Sequence, residues 1–407
     1  MDPITHGIAG ALIGKAFFAE RRPPSRASNE ARARVAIFAA TLGAVFPDVD
    51  VFVDAFSHDP LGIARYHRGF THSFVGLPVF AAALAWLTHA LLGWYAKWRG
   101  REEWEPPSFA LLFAIYAVGI ASHIILDGFT SFGTRMLNPF SKDRVAWDVL
   151  FIIDFIFTAL ILVPQLAAWV HQRRDGAKVR AAAMWGLLTI LALAAWALAR
   201  AVHFPFSLRA VIIASAIFAA LFLPVGRRIS RAQWCRTGFW IACAYILACG
   251  FAHHVAIARV RAFASSHRIA AEKIGAMPLP PSLLDWSGLI LTSEGVYQAQ
   301  FSLRSSAAPA FRLFADSPQS RYTQEAAQLK PVQTFLWFAR FPVMQFTTSD
   351  GESIVEYTDL RFFSGANEQP MPFTFYVSFD SEGKMLKYGW IERGPRFQRT
   401  APSADVQ

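Results

Sequence analysis

Residues 109–128 read FALLFAIYAVGIASHIILDG and indicate a membrane protein. The stretch is apolar over nearly the ~20 residues that a helix needs to cross a bilayer, yet it carries His123 and Asp127 near its end. Side chains four apart on a helix share one face, so these two can bind one cation together. Ionisable groups in such a segment are costly unless they are paired or metal-bound. The stretch therefore predicts a membrane helix that contributes to a functional site.

The composition of the whole chain points to the same class. Of its 407 residues, 54% are hydrophobic and 17% are charged, whereas a soluble domain has roughly 25% charged residues. Two short apolar runs, Ile8–Phe18 and Val35–Phe46, are expected to form tilted, partly buried or re-entrant helices. We therefore expect a mainly α, multi-pass transmembrane bundle of about eight hydrophobic helices. The other runs of near-bilayer length are Phe70–Tyr95, Val149–Val170, Ala181–Ala199, Ala210–Val225 and Gly238–Ala258.

The character of the chain changes after Arg261. Apolar and polar residues begin to alternate with period two, as in 297–303 and 373–379, which is typical of β-strands with one buried face. We therefore expect a carboxyl-terminal β-rich extramembrane domain. The predicted division is a transmembrane metal-site domain over 1–260, a proline-containing linker over 261–285, a β-rich domain over 286–397 and a polar tail over 398–407.

Basic residues predict the orientation of the helices. Alternate connections carry sixteen Lys and Arg residues on one side, in 21–34, 97–101, 173–180 and 227–236. The other side has nine, in 65–68, 135–144, 200–209 and 259–261. The positive-inside rule places the richer side in the cytoplasm. The motif residues then share the opposite, extracytoplasmic side with the β-rich domain.

The polar motifs beside the apolar runs contain imidazole and carboxylate groups, and no cysteine is placed to compete with them. Such mixed ligands suit zinc best, with manganese or iron as further possibilities. Because the candidates outnumber the ligands of one zinc, we expect two ions. The predicted metal ligands, taken from THG, FPDVD, HRGFTHS and SHIILDGF, are His6, Asp48, His67, His72, His123 and Asp127.

Four further residues receive predicted roles around the metal. Asp50 and Asp148 are expected to serve as outer ligands or as the general base of catalysis. Arg68 and Arg135 are expected to hold an anionic substrate, because a guanidinium matches a phosphate in a fork.

Other features exclude alternative classes. The net charge of +10 could suggest nucleic-acid binding, but the basic residues cluster at the ends of apolar runs, as topology signals do. No nucleic-acid partner is expected. The amino terminus lacks the basic region of a cleavable signal, so we expect the first helix to be retained.

An amino-terminal THG, a PDxD element, HRGxTHS and HxxxD in a hydrophobic helix occur in this order. In that arrangement the chain resembles the bacterial inner-membrane family of metal-dependent hydrolases of the YdjM and YbcI type. The resemblance covers about the first 160 residues, and HRGFTHS with SHIILDGFTSFG is its most specific part. It implies a multi-pass membrane protein with a divalent metal and hydrolase activity. The HxxxD helix is also similar to that of zinc-dependent phospholipases C.

Three functions can be weighed on these observations. We expect a membrane-bound metal-dependent hydrolase, whose substrate is a lipid-linked phosphoester or ester met at the membrane face. A non-catalytic metal-dependent scaffold or regulator, with a β domain that binds a partner, is the alternative. A transporter would need ionisable groups across the bilayer depth, whereas the candidates gather at one face.

Overall fold

The computed structural model describes residues 1–19, 26–57, 59–100, 106–171, 175–201, 208–222, 229–280, 282–349, 351–363 and 373–391. These residues divide into two compact units. The membrane unit comprises Met1–Asp50 and Arg68–Cys249, and the carboxyl-terminal unit comprises Val51–His67 and Gly250–Gln407. The predicted polar tail, 398–407, lies outside the described residues.

Up to Ser266, the regular elements of the described residues are helices. Within that part of the chain, five helices are long and apolar enough to cross a membrane: Glu30–Val53, Gly76–Trp98, Phe109–Gly128, Ala177–Ala201 and Arg231–Ser266. Two shorter apolar helices span Phe155–Val170 and Val211–Phe222. The individual helices are α1 (Pro3–Ile13), α2 (Arg26–Val45), α3 (Asp50–Ser57), α4 (Gly62–Arg65), α5 (Gly76–Trp98), α6 (Phe109–Gly128), α7 (Phe155–Val170), α8 (Ala177–Ala201), α9 (Leu208–Phe218) and α10 (Arg231–Ser266).

The expectation of a multi-pass helical protein is confirmed, but one span differs from its prediction. The apolar run Val35–Phe46 was expected to be too short, whereas Glu30–Val53 is a candidate span of 24 residues. A span requires apolar character only on average, so the helix extends past the run into neighbouring polar residues. The helix α1 is shorter, and a π-helical turn over Gly14–Phe18 follows it.

Small residues allow α1, α2 and α6 to pack closely. A Cβ atom on Gly10 of α1 would lie 2.6 Å from the Ala40 carbonyl oxygen of α2, and one on Gly119 of α6 would lie 2.8 Å from the same oxygen. Real Cβ atoms do not approach so closely, so only glycine fits at both positions. In a membrane, such close backbone approach replaces the hydrophobic effect as the force that holds helices together.

The carboxyl-terminal unit contains two antiparallel four-stranded sheets, which confirms the β-rich region. The first sheet has the order β1-β2-β3-β4 and the second the order β5-β6-β7-β8. Each sheet packs against helices. The strands are β1 (Lys273–Leu279), β2 (Asp285–Thr292), β3 (Gly295–Ser302), β4 (Arg312–Ala315), β5 (Pro342–Ser349), β6 (Glu352–Asp359), β7 (Thr374–Phe379) and β8 (Met385–Trp390), with α11 (Arg321–Gln328) and α12 (Lys330–Phe338) before β5.

The predicted linker over 261–285 includes parts of two regular elements. Helix α10 continues to Ser266, and strand β1 occupies Lys273–Leu279. Pro278 lies in this strand, although proline cannot donate a backbone hydrogen bond to a neighbouring strand. The strand tolerates it because β1 is an edge strand that pairs only with β2.

Candidate metal centre

Four predicted ligands converge in the membrane unit. Ligand atoms of Asp48, His72, His123 and Asp127 all lie within 4.8 Å of one another. The side chains of His72, His123 and Asp127 are fully buried, and that of Asp48 is 12% exposed. Buried ionisable groups of this kind are retained only when they are paired or bound to a metal.

Helix ends and tight turns present these side chains. His123 and Asp127 lie one turn apart in α6, and a 3-10 turn, Phe46–Val49, presents Asp48 directly after α2. A second 3-10 turn, Phe70–His72, presents His72 before α5 begins. The close contact of α6 with α2 brings the His123 Nδ1 atom within 2.7 Å of the Ala44 carbonyl oxygen.

The distances between the ligand atoms fit a metal ion. The Nε2 atoms of His72 and His123 are 3.0 Å apart, and each lies 3.4–3.5 Å from Asp48 Oδ1 and from Asp127 Oδ2. The ligand atoms of a tetrahedral ion with bonds of about 2.0–2.1 Å are about 3.3–3.4 Å apart. Two imidazole nitrogens and two carboxylate oxygens thus have the spacing of a first-row divalent metal site.

The protonation of both histidines points to the same conclusion. The Ala44 carbonyl can only accept, so His123 Nδ1 must carry the hydrogen and donate it. His72 Nδ1 lies 3.1 Å from Asp50 Oδ2, which holds its hydrogen on that side. In neutral rings, each Nε2 atom then carries a lone pair that faces the other. A cation shared by the two Nε2 atoms removes this repulsion, and outer acceptors at Nδ1 are characteristic of metal-binding histidines.

Asp50 orients the turn that carries His72. Its Oδ2 atom accepts hydrogen bonds from the Arg68 backbone N–H and the Thr71 hydroxyl, each at 2.9 Å. The Thr71 oxygen also lies 3.0 Å from His72 Nδ1. These contacts give Asp50 a positioning role at the turn that carries His72. Sequence reasoning missed Thr71, although it lies inside HRGFTHS.

Arg68 balances the charge of Asp127. Its Nε atom lies 2.9 Å from Asp127 Oδ2, and its NH1 group donates to the Thr130 hydroxyl at 2.9 Å. The guanidinium also lies over the Phe132 ring, and the side chain is only 2% exposed. The Met1 amino group contacts Asp127 as well. Arg68 is therefore engaged with a ligand carboxylate, and its predicted role as a direct substrate anchor does not fit this placement.

His6 joins the group from α1. Its ring stacks on that of His123 with centroids 3.7 Å apart, and its Nε2 atom lies 3.2 Å from Asp127 Oδ1. Within the described part of the chain, His6 Nδ1 and Asp48 Oδ2 are buried without a hydrogen-bond partner. Orphaned polar atoms beside four convergent ligands fit a site built to hold a cation.

The remaining predicted residues are placed differently. His67 belongs to the carboxyl-terminal unit and is not in the four-residue group. Asp148 is also outside the group; it is buried and has a left-handed backbone (φ 56°). The backbone N–H groups of its neighbours, Trp147 and Val149, donate to the carbonyls of Gly128 at the end of α6 and of Phe129. Arg135 donates to the Arg68 carbonyl at 3.4 Å, and burial lowers the pKa of its guanidinium, an effect that nearby Asp50 opposes.

The fold and site define a class: a multi-pass membrane protein with a buried histidine and aspartate cluster at the ends of its helices. Residues 1–201 match the sequence model of the YdjM inner membrane protein family, which confirms the predicted resemblance. The family supports an inner-membrane location.

The chain is also similar to a curated bacterial protein. The chain is 28% identical over 173 residues to a Bacillus subtilis (strain 168) protein named Uncharacterized protein YfhP. The match spans 42% of this chain and 46% of that relative, so it covers less than half of either protein. No solved structure matches the chain.

Proposed function

We propose that this protein is a membrane-bound, metal-dependent hydrolase that acts on a lipid-linked phosphoester or ester at the extracytoplasmic membrane face. The observation that carries the proposal is the pair of Nε2 atoms 3.0 Å apart, whose Nδ1 atoms are held by Ala44 and Asp50. Zinc is the metal that this donor set suits best, with manganese or iron as alternatives.

The proposal assigns metal binding to Asp48, His72, His123 and Asp127. The expected second ion is retained, with His6 as a ligand, because His6 Nε2 lies 3.2 Å from Asp127 Oδ1. A divalent metal supplies Lewis acidity that activates water near neutral pH and polarises a phosphoryl or acyl oxygen.

The protein residues hold the site in its reactive arrangement. Asp50 keeps the His72 ring in one tautomer, and Arg68 fixes the Asp127 carboxylate. We assign proton acceptance to Asp48 Oδ2, because this atom is buried without a hydrogen-bond partner among the described residues. Asp48 is also the most exposed of the four ligands, at 12% of its side chain.

Activity and metal content test the proposal together. Purified protein in nanodiscs is analysed for bound metal and assayed on phospholipids, polyprenyl-type phosphoesters and acyl esters. We expect His123→Ala to lose metal and to reduce turnover at least 100-fold, since oxyanion or metal contacts of this kind contribute about that much. His89→Ala is the matched control, because His89 lies in another candidate span and bonds to the Pro107 carbonyl. Metal-loaded protein without turnover on any of these substrates would favour the scaffold alternative.

The sidedness of the site has its own test. The proposal places the carboxyl-terminal unit outside the cytoplasm, on the side with nine basic loop residues against sixteen. A phosphatase reporter that works only outside the cytoplasm should be active when fused after Gln407 and inactive when inserted after Arg174, in a basic connection. The reverse pattern would place the site on the cytoplasmic face.

A further inference from the structure

The connection between α6 and α7 exposes an unusual number of apolar side chains. Five large hydrophobic residues of segment 129–154 are exposed, although the segment is built of turns. Phe140 is 85% exposed and Leu137 is 57% exposed. Among the described residues after Ser266, exposed large hydrophobic side chains occur only on α12 and β8. The other three in the connection are Trp147, Ile152 and Ile153.

The base of this connection is tied to the candidate metal centre. The Arg135 backbone N–H donates to the Arg68 carbonyl, and the Phe74 N–H donates to the Met136 carbonyl at 2.9 Å. Met136 itself is buried. The tip, residues 137–140, directly follows Arg135 and Met136, whose backbone is hydrogen-bonded to backbone beside the candidate metal centre. The side chains of Leu137 and Phe140 point outward.

The position of the tip, next to the ends of apolar helices, identifies what surrounds it. Its anchor Phe74 lies two residues before α5 begins, and the connection itself joins the end of α6 to the start of α7. These are ends of apolar helices, and in a membrane protein they lie near the boundary between acyl chains and headgroups. Phe70 and Phe74, at the same end of α5, are 39% and 40% exposed.

The charges of the connection agree with a lipid surface. In residues 135–144, which carry the apolar tip, Arg135, Lys142 and Arg144 stand against one acidic residue, Asp143. The other two carboxylates of the connection, Asp148 and Asp154, are buried. Lys142 is exposed, whereas the Arg144 guanidinium lies over the Phe132 ring. An apolar tip flanked by basic residues binds at an anionic lipid interface through burial of apolar area and through electrostatic attraction.

We propose that the tip formed by Leu137–Phe140 inserts into the bilayer interface and guides a lipid headgroup to the metal centre. Insertion concerns the tip alone and stands independently of the hydrolase proposal. Delivery of a lipid substrate rests on that proposed function. The occupant of this apolar surface is therefore the lipid bilayer itself.

Depth-dependent quenching tests insertion. Phe140→Cys and Leu137→Cys are made in a background lacking Cys235, Cys243 and Cys249, labelled with bimane and placed in nanodiscs of anionic phospholipid that contain brominated acyl chains. We expect quenching several-fold greater than for the control Leu386→Cys, an apolar residue of β8 with 48% exposure. Labels at 137 and 140 that emit as in water and resist quenching, like the control, would overturn the proposal.

A second measurement tests delivery. The double variant Leu137→Ser and Phe140→Ser should slow turnover of a lipid-linked phosphoester at least 10-fold and leave a soluble short-chain phosphoester unaffected. Equal loss on both substrates would overturn delivery, because the tip would then act on the site itself. Quenching without turnover in the parent protein would retain insertion and reject the hydrolase.

Discussion

At the residue scale, Asp50 is the clearest test of how the site is organised. We expect Asp50→Asn to weaken zinc binding about 10- to 100-fold, because loss of an outer hydrogen-bond partner of a metal-binding histidine has effects of that size. The carboxylate accepts from the Arg68 N–H and Thr71 and lies 3.1 Å from His72 Nδ1. Competition with a chelator of known affinity measures the change. Asp143→Asn, at an exposed position, should bind zinc as the parent does, and equal affinity in both variants would contradict the assignment.

Arg68 and Arg65 provide a matched pair, three residues apart. Arg68 contacts Asp127 with 2% exposure, whereas Arg65 contacts Asp59 with 43% exposure. Breaking a buried ion pair costs about 3–5 kcal/mol, because the remaining charge is left uncompensated. A surface pair contributes about 0–1 kcal/mol. We therefore expect Arg68→Gln, but not Arg65→Gln, to lower the unfolding temperature markedly in detergent. Similar shifts for both variants would show that Asp127 does not depend on Arg68.

The sequence predicted the residue types of the candidate site better than it predicted where each side chain points. The prediction that His123 and Asp127 face the same way depended only on their lying four residues apart in one helix. The structure places their ligand atoms 3.5 Å apart. The placement of His67 was less predictable, because the next residue, Arg68, adopts a left-handed backbone (φ 59°), which is uncommon for a residue other than glycine. Whether Arg68 faced a substrate or a ligand depended on tertiary contacts with Asp127, which no local pattern encodes.

At the scale of elements, glycines let the helices approach closely enough to share a site. We expect Gly119→Val to separate α6 from α2, because its Cβ would lie 2.8 Å from the Ala40 carbonyl oxygen. Displacement of α6 would also break the bond from His123 to Ala44. Gly93→Val is the control, since nothing lies within 4 Å of a Cβ there. Thermal stability and zinc retention in detergent should fall for Gly119→Val alone, and an unaffected Gly119→Val protein would argue against this packing.

Apolar runs predicted the helices better than they predicted helix ends. The run Phe70–Tyr95 corresponds to α5, which begins only at Gly76, because the apolar residues before it form the turn that presents His72. The run Val149–Val170 likewise yields α7 only from Phe155, where Asp154 caps the helix by accepting from two backbone N–H groups. Hydropathy reports compatibility with lipid, whereas caps and turns set the boundaries.

At the scale of the whole molecule, residues 51–67 connect the two units covalently, because the chain passes from the membrane unit into the carboxyl-terminal unit and back. Residues 51–67 belong to the carboxyl-terminal unit, yet they connect Asp48 and Asp50 to Arg68 and His72. Leu61 is buried in the core formed by α12 and the second sheet, and Arg65 donates to Thr334. The core of the carboxyl-terminal unit therefore holds the part of this segment around Leu61 and Arg65, and the residues that flank the segment organise the metal centre.

This connection predicts that damage to the carboxyl-terminal core weakens metal binding. Leu61→Ala should cost about 2–5 kcal/mol of stability in that unit, through lost burial and the cavity left behind. A loosened segment 51–67 no longer restrains Asp50 and Arg68, so we expect several-fold weaker zinc binding while the protein remains in the membrane. Val53→Ala is the control, because Val53 lies in the same segment and is 53% exposed. Limited proteolysis reports the loosening, and chelator competition reports the affinity. Faster cleavage of Leu61→Ala with unchanged zinc affinity would show that the membrane unit organises its ligands without the carboxyl-terminal unit.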